Sequence, residues 1–171
     1  MTTAPQAPYE LCFDAIRANA HTIPRRAFAV AGYINGANMS FIWTRHEWEL
    51  FPDAVKFQIN TTGAPDRGNF LDVERFDATP AHVAPWIDTR RKAEPDNYPL
   101  VVYCDRSNLS AVVAARGRRR AFICVATLDG TMTFDHRAMI QFSDAAMSGG
   151  PYDVSVIWSR RLAAEGVLHL T

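Results

Sequence analysis

In the segment Asn69-Phe-Leu-Asp-Val-Glu74 two carboxylates stand two residues apart, where an apolar run stops. Side chains two apart on a strand project to one face, so Asp72 and Glu74 share a surface while Leu71 and Val73 point oppositely into apolar packing. Two close acids resist joint ionisation, which raises one pKa and can make an acid and a base from a single residue class. Cleavage of a glycosidic bond requires such a pair. The same triplet also occurs in solvated strand ends and helix caps, so its chemistry depends on what the rest of the chain places beside it.

The elements that would hold this pair can be read from apolar periodicity. Continuous apolar runs at 27–34, 55–59, 70–73, 100–104, 121–126 and 138–142 predict six strands, the first ending in the turn pair Asn35-Gly36. Helical spacing covers 44–50, 81–93 and 108–116, and a short helix is expected within 9–20. Thr79-Pro80 supplies an N-cap hydroxyl followed by proline at the first helical position, and Pro85 is expected to kink the helix it enters. Strands apolar on both faces and alternating with helices imply a mainly parallel sheet covered by helices. A full barrel of eight strand-helix units needs about 250 residues. The expected α/β fold is therefore a reduced or irregular β/α (TIM-like) barrel. An open doubly wound sheet is the alternative, without a Gly-x-Gly-x-x-Gly turn or phosphate loop to support nucleotide binding. Residues 1–26 are expected to form an N-terminal arm and short helix, and 27–171 one β/α domain.

In barrels and open α/β sheets the site assembles at the C-terminal ends of the parallel strands. By that rule Asn35, Asn60, Asp105, Thr127, Asp129 and Gln141 join Asp72 and Glu74 as polar groups at or near strand ends. Tyr33, Trp43, Tyr103 and Phe142 are the nearby aromatics, each either a core residue or a stacking face for a sugar ring.

Other chemistries find less support. Eighteen basic and eighteen acidic residues cancel, so no overall field draws the chain to nucleic acid or an anionic membrane. The basic run Arg116, Arg118, Arg119 and Arg120 reads as a solvated connection. Cys12, Cys104 and Cys124 lack metal-type spacing and read as free thiols. The five histidines are scattered, so neither a metal nor a cofactor is expected. No signal-peptide pattern and no membrane-length apolar run is present, which predicts a protein made in the cytoplasm.

The motifs Ala31-Gly-Tyr-Ile-Asn-Gly36, Leu71-Asp-Val-Glu74 with Asp77-Ala-Thr-Pro80, Val102-Tyr-Cys104, Gln141-Phe142 and Tyr152-Asp-Val-Ser155 follow one another in an order that resembles the glycoside hydrolase family 25-like (lysozyme-like) domains of actinobacteria and their phages. The resemblance covers 29–158. It implies a peptidoglycan-directed glycosidase, with catalytic acids at Asp72 and Glu74. Tyr33, Asn35, Tyr103, Asp105, Gln141 and Asp153 would bind substrate. The implied partners are a cell-wall glycan or other saccharide. Three positions depart from the pattern: Asn35 where an acid is expected at the first strand end, Cys124-Val-Ala126 in place of a tryptophan-led run, and Gln141-Phe142 in place of Gln-Tyr. Those departures imply the competing expectation, a catalytically lapsed domain that serves as a structural or saccharide-binding protein of a phage tail or capsid, associated with other virion proteins.

Overall fold

A computed structural model describes residues 9–94, 98–128, 139–144 and 146–157. Within them the strands are β1 (Glu10–Asp14), β2 (Ala29–Tyr33), β3 (Val55–Asn60), β4 (Phe70–Val73), β5 (Val101–Asp105), β6 (Phe122–Ala126), β7 (Met139–Ser143) and β8 (Asp153–Ile157). The helices are α1 (Arg45–Glu49), α2 (Pro80–Ala93) and α3 (Leu109–Arg116), with 3-10 turns at Arg17–Thr22 and Met39–Phe41. Strands pair in chain order and β8 returns to β1, so the sheet closes into an eight-stranded barrel. The barrel is mixed: successive pairs from β1–β2 to β6–β7 are parallel, and β8 lies antiparallel to both β7 and β1.

Strand alternation divides the apolar residues into an inner and an outer set. Ala29, Ala31, Phe57, Phe70, Val101, Phe122, Met139 and Ile157 pack together inside the barrel. Outside, Leu71, Val73 and Val102 pack against Val83, Trp86 and Ile87 of α2 and Val112 of α3. Thr79 and Pro80 start α2 as expected: the Thr79 backbone N–H donates to His82 Nδ1 at 3.0 Å. The helix continues through Pro85 to Ala93.

The six expected strands are β2 to β7, and two staves were not foreseen. Residues 10–14, expected as part of a short helix, form β1, because pairing with β2 and β8 outweighs the near-helical spacing of a short apolar segment. β8 escaped because two of its three inward residues are the polar Asp153 and Ser155, while Val154 and Val156 face outward.

β3 and β4 are joined without a helix, and asparagine amides do the work of one. Asn69 Oδ1 accepts from the Gln58 N–H at 2.6 Å and its Nδ2 donates to the Lys56 carbonyl at 3.1 Å, extending the short β3–β4 ladder. Asn60 is fully buried, and its Nδ2 donates to the Ala64 and Arg67 carbonyls. Paired amides of this kind satisfy backbone groups that a loop would otherwise bury unpaired.

Trp43 locks the first crossover. Its Nε1 donates to the Ala15 carbonyl at 2.8 Å, and its ring stacks on Phe51 at 5.9 Å between centroids. The ring lies so close to Gly32 that an added Cβ would stand 2.3 Å from Trp43 Cδ2. Gly32→Ala must therefore displace the indole or bend β2. It is expected to cost about 1–3 kcal/mol in urea unfolding, the usual scale of overpacking. A change indistinguishable from zero would show that Trp43 is free to move.

Candidate active site at the barrel mouth

Inside the barrel the lower layers are apolar and the last layer is polar. At the C-terminal end of the parallel strands lies a cavity of about 70 Å³, floored by Ile59 and Phe70 and lined by Asp14, Tyr33, Asp72, Glu74, Tyr103, Gln141, Asp153 and Ser155. Because β8 runs against its neighbours, its first residue reaches the same end as the last residues of the other strands. Asp153 thus stands directly opposite Asp14 across the β1–β8 ladder. Like charges in that position repel. Among the described residues, no lysine, arginine or histidine lines the cavity.

Burial beside other acids keeps Asp14, Asp72 and Glu74 from ionising easily. The Asp14 carboxyl is pushed up to about 8, first by burial, then by Asp153 and Glu74. Asp72 is raised well above the usual aspartate range by burial, with Glu74, Asp77 and Asp14 adding to it. Glu74 is raised by burial as well, although the hydrogen bond from the Tyr103 hydroxyl works against the shift. Burial also raises both phenols, Tyr33 and Tyr103, with nearby carboxylates contributing, so each remains a hydroxyl donor. Tyr103 stacks on Phe70 at 5.9 Å, which fixes the ring that holds Glu74.

Of the residues singled out by sequence, Asp72, Glu74, Tyr33, Tyr103, Gln141 and Asp153 meet around this one cavity. Asn35 does not line it. Its Nδ2 donates to Asn60 Oδ1 at 2.9 Å and to Thr62 Oγ1 at 3.0 Å, and its Oδ1 accepts from the Thr61 N–H at 2.9 Å. Asn35 instead borders a neighbouring cleft of about 230 Å³ with Phe41, Phe76 and Asp77. Asp105 is turned to the start of α3, where its Oδ1 accepts from Ser107 Oγ and the Asn108 N–H, each at 2.8 Å. Trp43 and Phe142 pack among apolar residues, and Asp129 lies outside the described residues.

Sequence reasoning missed Asp14, Ser155 and Asp77. Asp14 ends the apolar triplet Leu11-Cys12-Phe13, so the rule that found Asp72 would have found it had the segment been read as a strand. The first stave of the barrel is β1, which ends in Asp14, and the strand before Asn35 is the second. The three cysteines are buried free thiols. Cys12 and Cys124 belong to the inner cluster, beneath the polar layer.

A second cleft of about 230 Å³ opens on the other side, bordered by Asp14, Asn19, Tyr152 and Asp153. Tyr33 borders both clefts and the acidic cavity between them. The mouth therefore offers an elongated, acid-centred surface.

A carboxyl that holds its proton more tightly when folded than when unfolded makes stability fall as pH rises between the two pKa values. For Asp14 the interval runs from about 4, the unperturbed aspartate value, to about 8. Urea unfolding at successive pH values should show Asp14→Asn losing less stability than the native chain across that interval. Parallel curves for the two proteins would contradict the burial of an uncompensated carboxyl at Asp14.

No protein-family model matches the chain, and no curated protein or solved structure does either.

Proposed function

We propose that the protein is a glycoside hydrolase-like domain of reduced TIM-barrel type, directed at a polysaccharide such as the glycan of peptidoglycan. The observation that carries this reading is the convergence of Asp14, Asp72, Glu74 and Asp153 between two clefts that Tyr33 joins. A chain of sugar rings would lie across the mouth, with its scissile bond over the acids.

In this reading Glu74 is the general acid. It is half-buried at the edge of the cavity, aligned by the Tyr103 hydroxyl and raised in pKa by burial. Both properties suit a group that must hold a proton near neutral pH and release it to a leaving oxygen. Asp72, deeper and more enclosed, is raised in pKa by burial and by Glu74, and faces the positive charge that develops at the anomeric carbon. Gln141 and Tyr33 supply neutral hydrogen-bonding groups for sugar hydroxyls. Asp105, engaged in capping α3, has no direct part.

The small volume of the acidic cavity favours a second reading, a saccharide-binding domain without turnover, as in a virion-associated protein. A cavity of about 70 Å³ admits a functional group rather than a whole ring, against the several hundred Å³ of a typical ligand pocket.

Release of reducing ends from purified peptidoglycan separates the two. Hydrolysis by the native chain should drop by about a hundred- to ten-thousand-fold in Glu74→Gln, since the amide keeps the shape but cannot donate the proton. Glycan retention without hydrolysis by either protein would leave the binding reading, and hydrolysis unaffected by Glu74→Gln would remove Glu74 from its role.

A further inference from the structure

At the rim of the mouth, Asp72, Glu74 and Asp77 each bring a carboxylate oxygen into a group whose members all lie within 4.8 Å of one another. Asp72 is only 7% exposed, and its Oδ1 has no hydrogen-bond partner among the described residues. A buried polar atom left without a partner is uncommon in folded proteins and points to a group that completes it. The Tyr103 and Thr61 hydroxyls stand beside the flanking carboxylates, Glu74 and Asp77, and each works against the rise in its neighbour's pKa. Hydroxyl donors beside carboxylates are the ordinary supporting shell of an ion site. Among the described residues, no cationic side chain lines the adjoining cavity to serve the orphaned oxygen instead.

The donor set states the class of ligand. Three carboxylates with no imidazole or thiolate suit a hard cation rather than zinc or copper. Ligands on opposite sides of one calcium ion, each about 2.4 Å from it, stand about 4.8 Å apart, and no pair of the three oxygens exceeds that span. Burial falls from Asp72 through Glu74 to Asp77, which is exposed. The inner side is protein and the outer side is open to the waters or substrate oxygens that complete a shell of six to eight oxygens, as calcium takes.

We infer that Asp72, Glu74 and Asp77 form a binding site for a hard divalent cation of the calcium or magnesium class. The ion sits between the acidic cavity and the cleft bordered by Asp77 and Phe76. There it neutralises the inner carboxylates and offers open coordination positions to hydroxyl or carboxylate oxygens of a ligand in that cleft. Since Glu74 cannot hold the ion and a transferable proton on the same oxygen, cation occupancy and acid catalysis exclude each other. The inference goes beyond the hydrolysis reading, and its test involves no glycan.

The test uses the full chain with terbium as a calcium surrogate, its luminescence excited through the tyrosines that border the mouth, followed by displacement with calcium chloride and, separately, magnesium chloride. The native chain should give a saturable one-site signal that calcium or magnesium displaces. Asp77→Asn, an exposed position whose change leaves the core intact, should weaken apparent affinity by about tenfold or more, since affinity follows ligand charge. Asp72→Asn should remove binding. Asp53→Asn, an exposed acid before β3 at the opposite end of the barrel, should bind as the native chain does. Circular dichroism in chelator confirms that each variant is folded. Absence of a saturable signal in the folded native chain, or equal affinity in Asp77→Asn, overturns the inference. A chain that binds the ion but cleaves no glycan, or the reverse, separates this site from the hydrolysis reading.

Discussion

Carboxyl groups buried together raise one another's pKa and resist joint ionisation, and this repulsion governs the mouth of the barrel. Ile59, Phe70 and the two tyrosine rings wall much of the cavity with apolar surface, so solvation relieves the repulsion among Asp14, Asp72 and Glu74 only in part. A proton or a metal ion relieves it, and a cationic ligand or a developing oxocarbenium ion would do the same. The fold thus creates a demand for positive charge at one point on its surface. Acid catalysis and divalent-ion binding are two ways of meeting it.

The barrel imposes that demand by topology. Parallel strands bring their C-terminal ends to one rim, and the single reversed stave, β8, adds its first residue to the same rim opposite β1. Ring stacking and amide hydrogen bonds keep the rim from relaxing. Trp43 ties the residue after Asp14 to the β2 crossover, and the Asn35–Asn60 pair holds the loop that follows β3. Similarly, Trp86 Nε1 donates to the Arg67 carbonyl and Arg90 to the Asp66 carbonyl, fastening the same loop to α2. With the rim braced in this way, burial leads the causes of the shifts at Asp14, Asp72 and the half-buried Glu74.

Much of this was legible in the chain because strands apolar on both faces announce themselves. β2 to β7 follow from continuous apolar runs, and α2 from Thr79-Pro80. The staves at the seam were not legible, for a physical reason. The apolar part of β1 is only three residues long and runs into a near-helical spacing, and in β8 Asp153 and Ser155 interrupt the pattern that marks a buried strand. A functional site written into a strand thus hides that strand. The rule of polar groups at strand ends collected Asn35 and Asp105 along with the cavity residues, because it cannot distinguish a side chain facing the lumen from one that closes a loop or caps a helix. The cation cluster was illegible for another reason: Asp77 lies beyond the strand, and only the turn after Glu74 returns it toward Asp72.

Carbon-13 NMR of the aspartate and glutamate carboxyls, titrated in chelator, tests the central claim most directly, since it reads the protonation of each group in the folded chain. The account predicts that Asp14 titrates near pH 8 and that Asp72 and Glu74 titrate above the range of the exposed acids. Titration of all the cavity carboxyls near pH 4, the ordinary range of about 3.9–4.3 for free side chains, would contradict it.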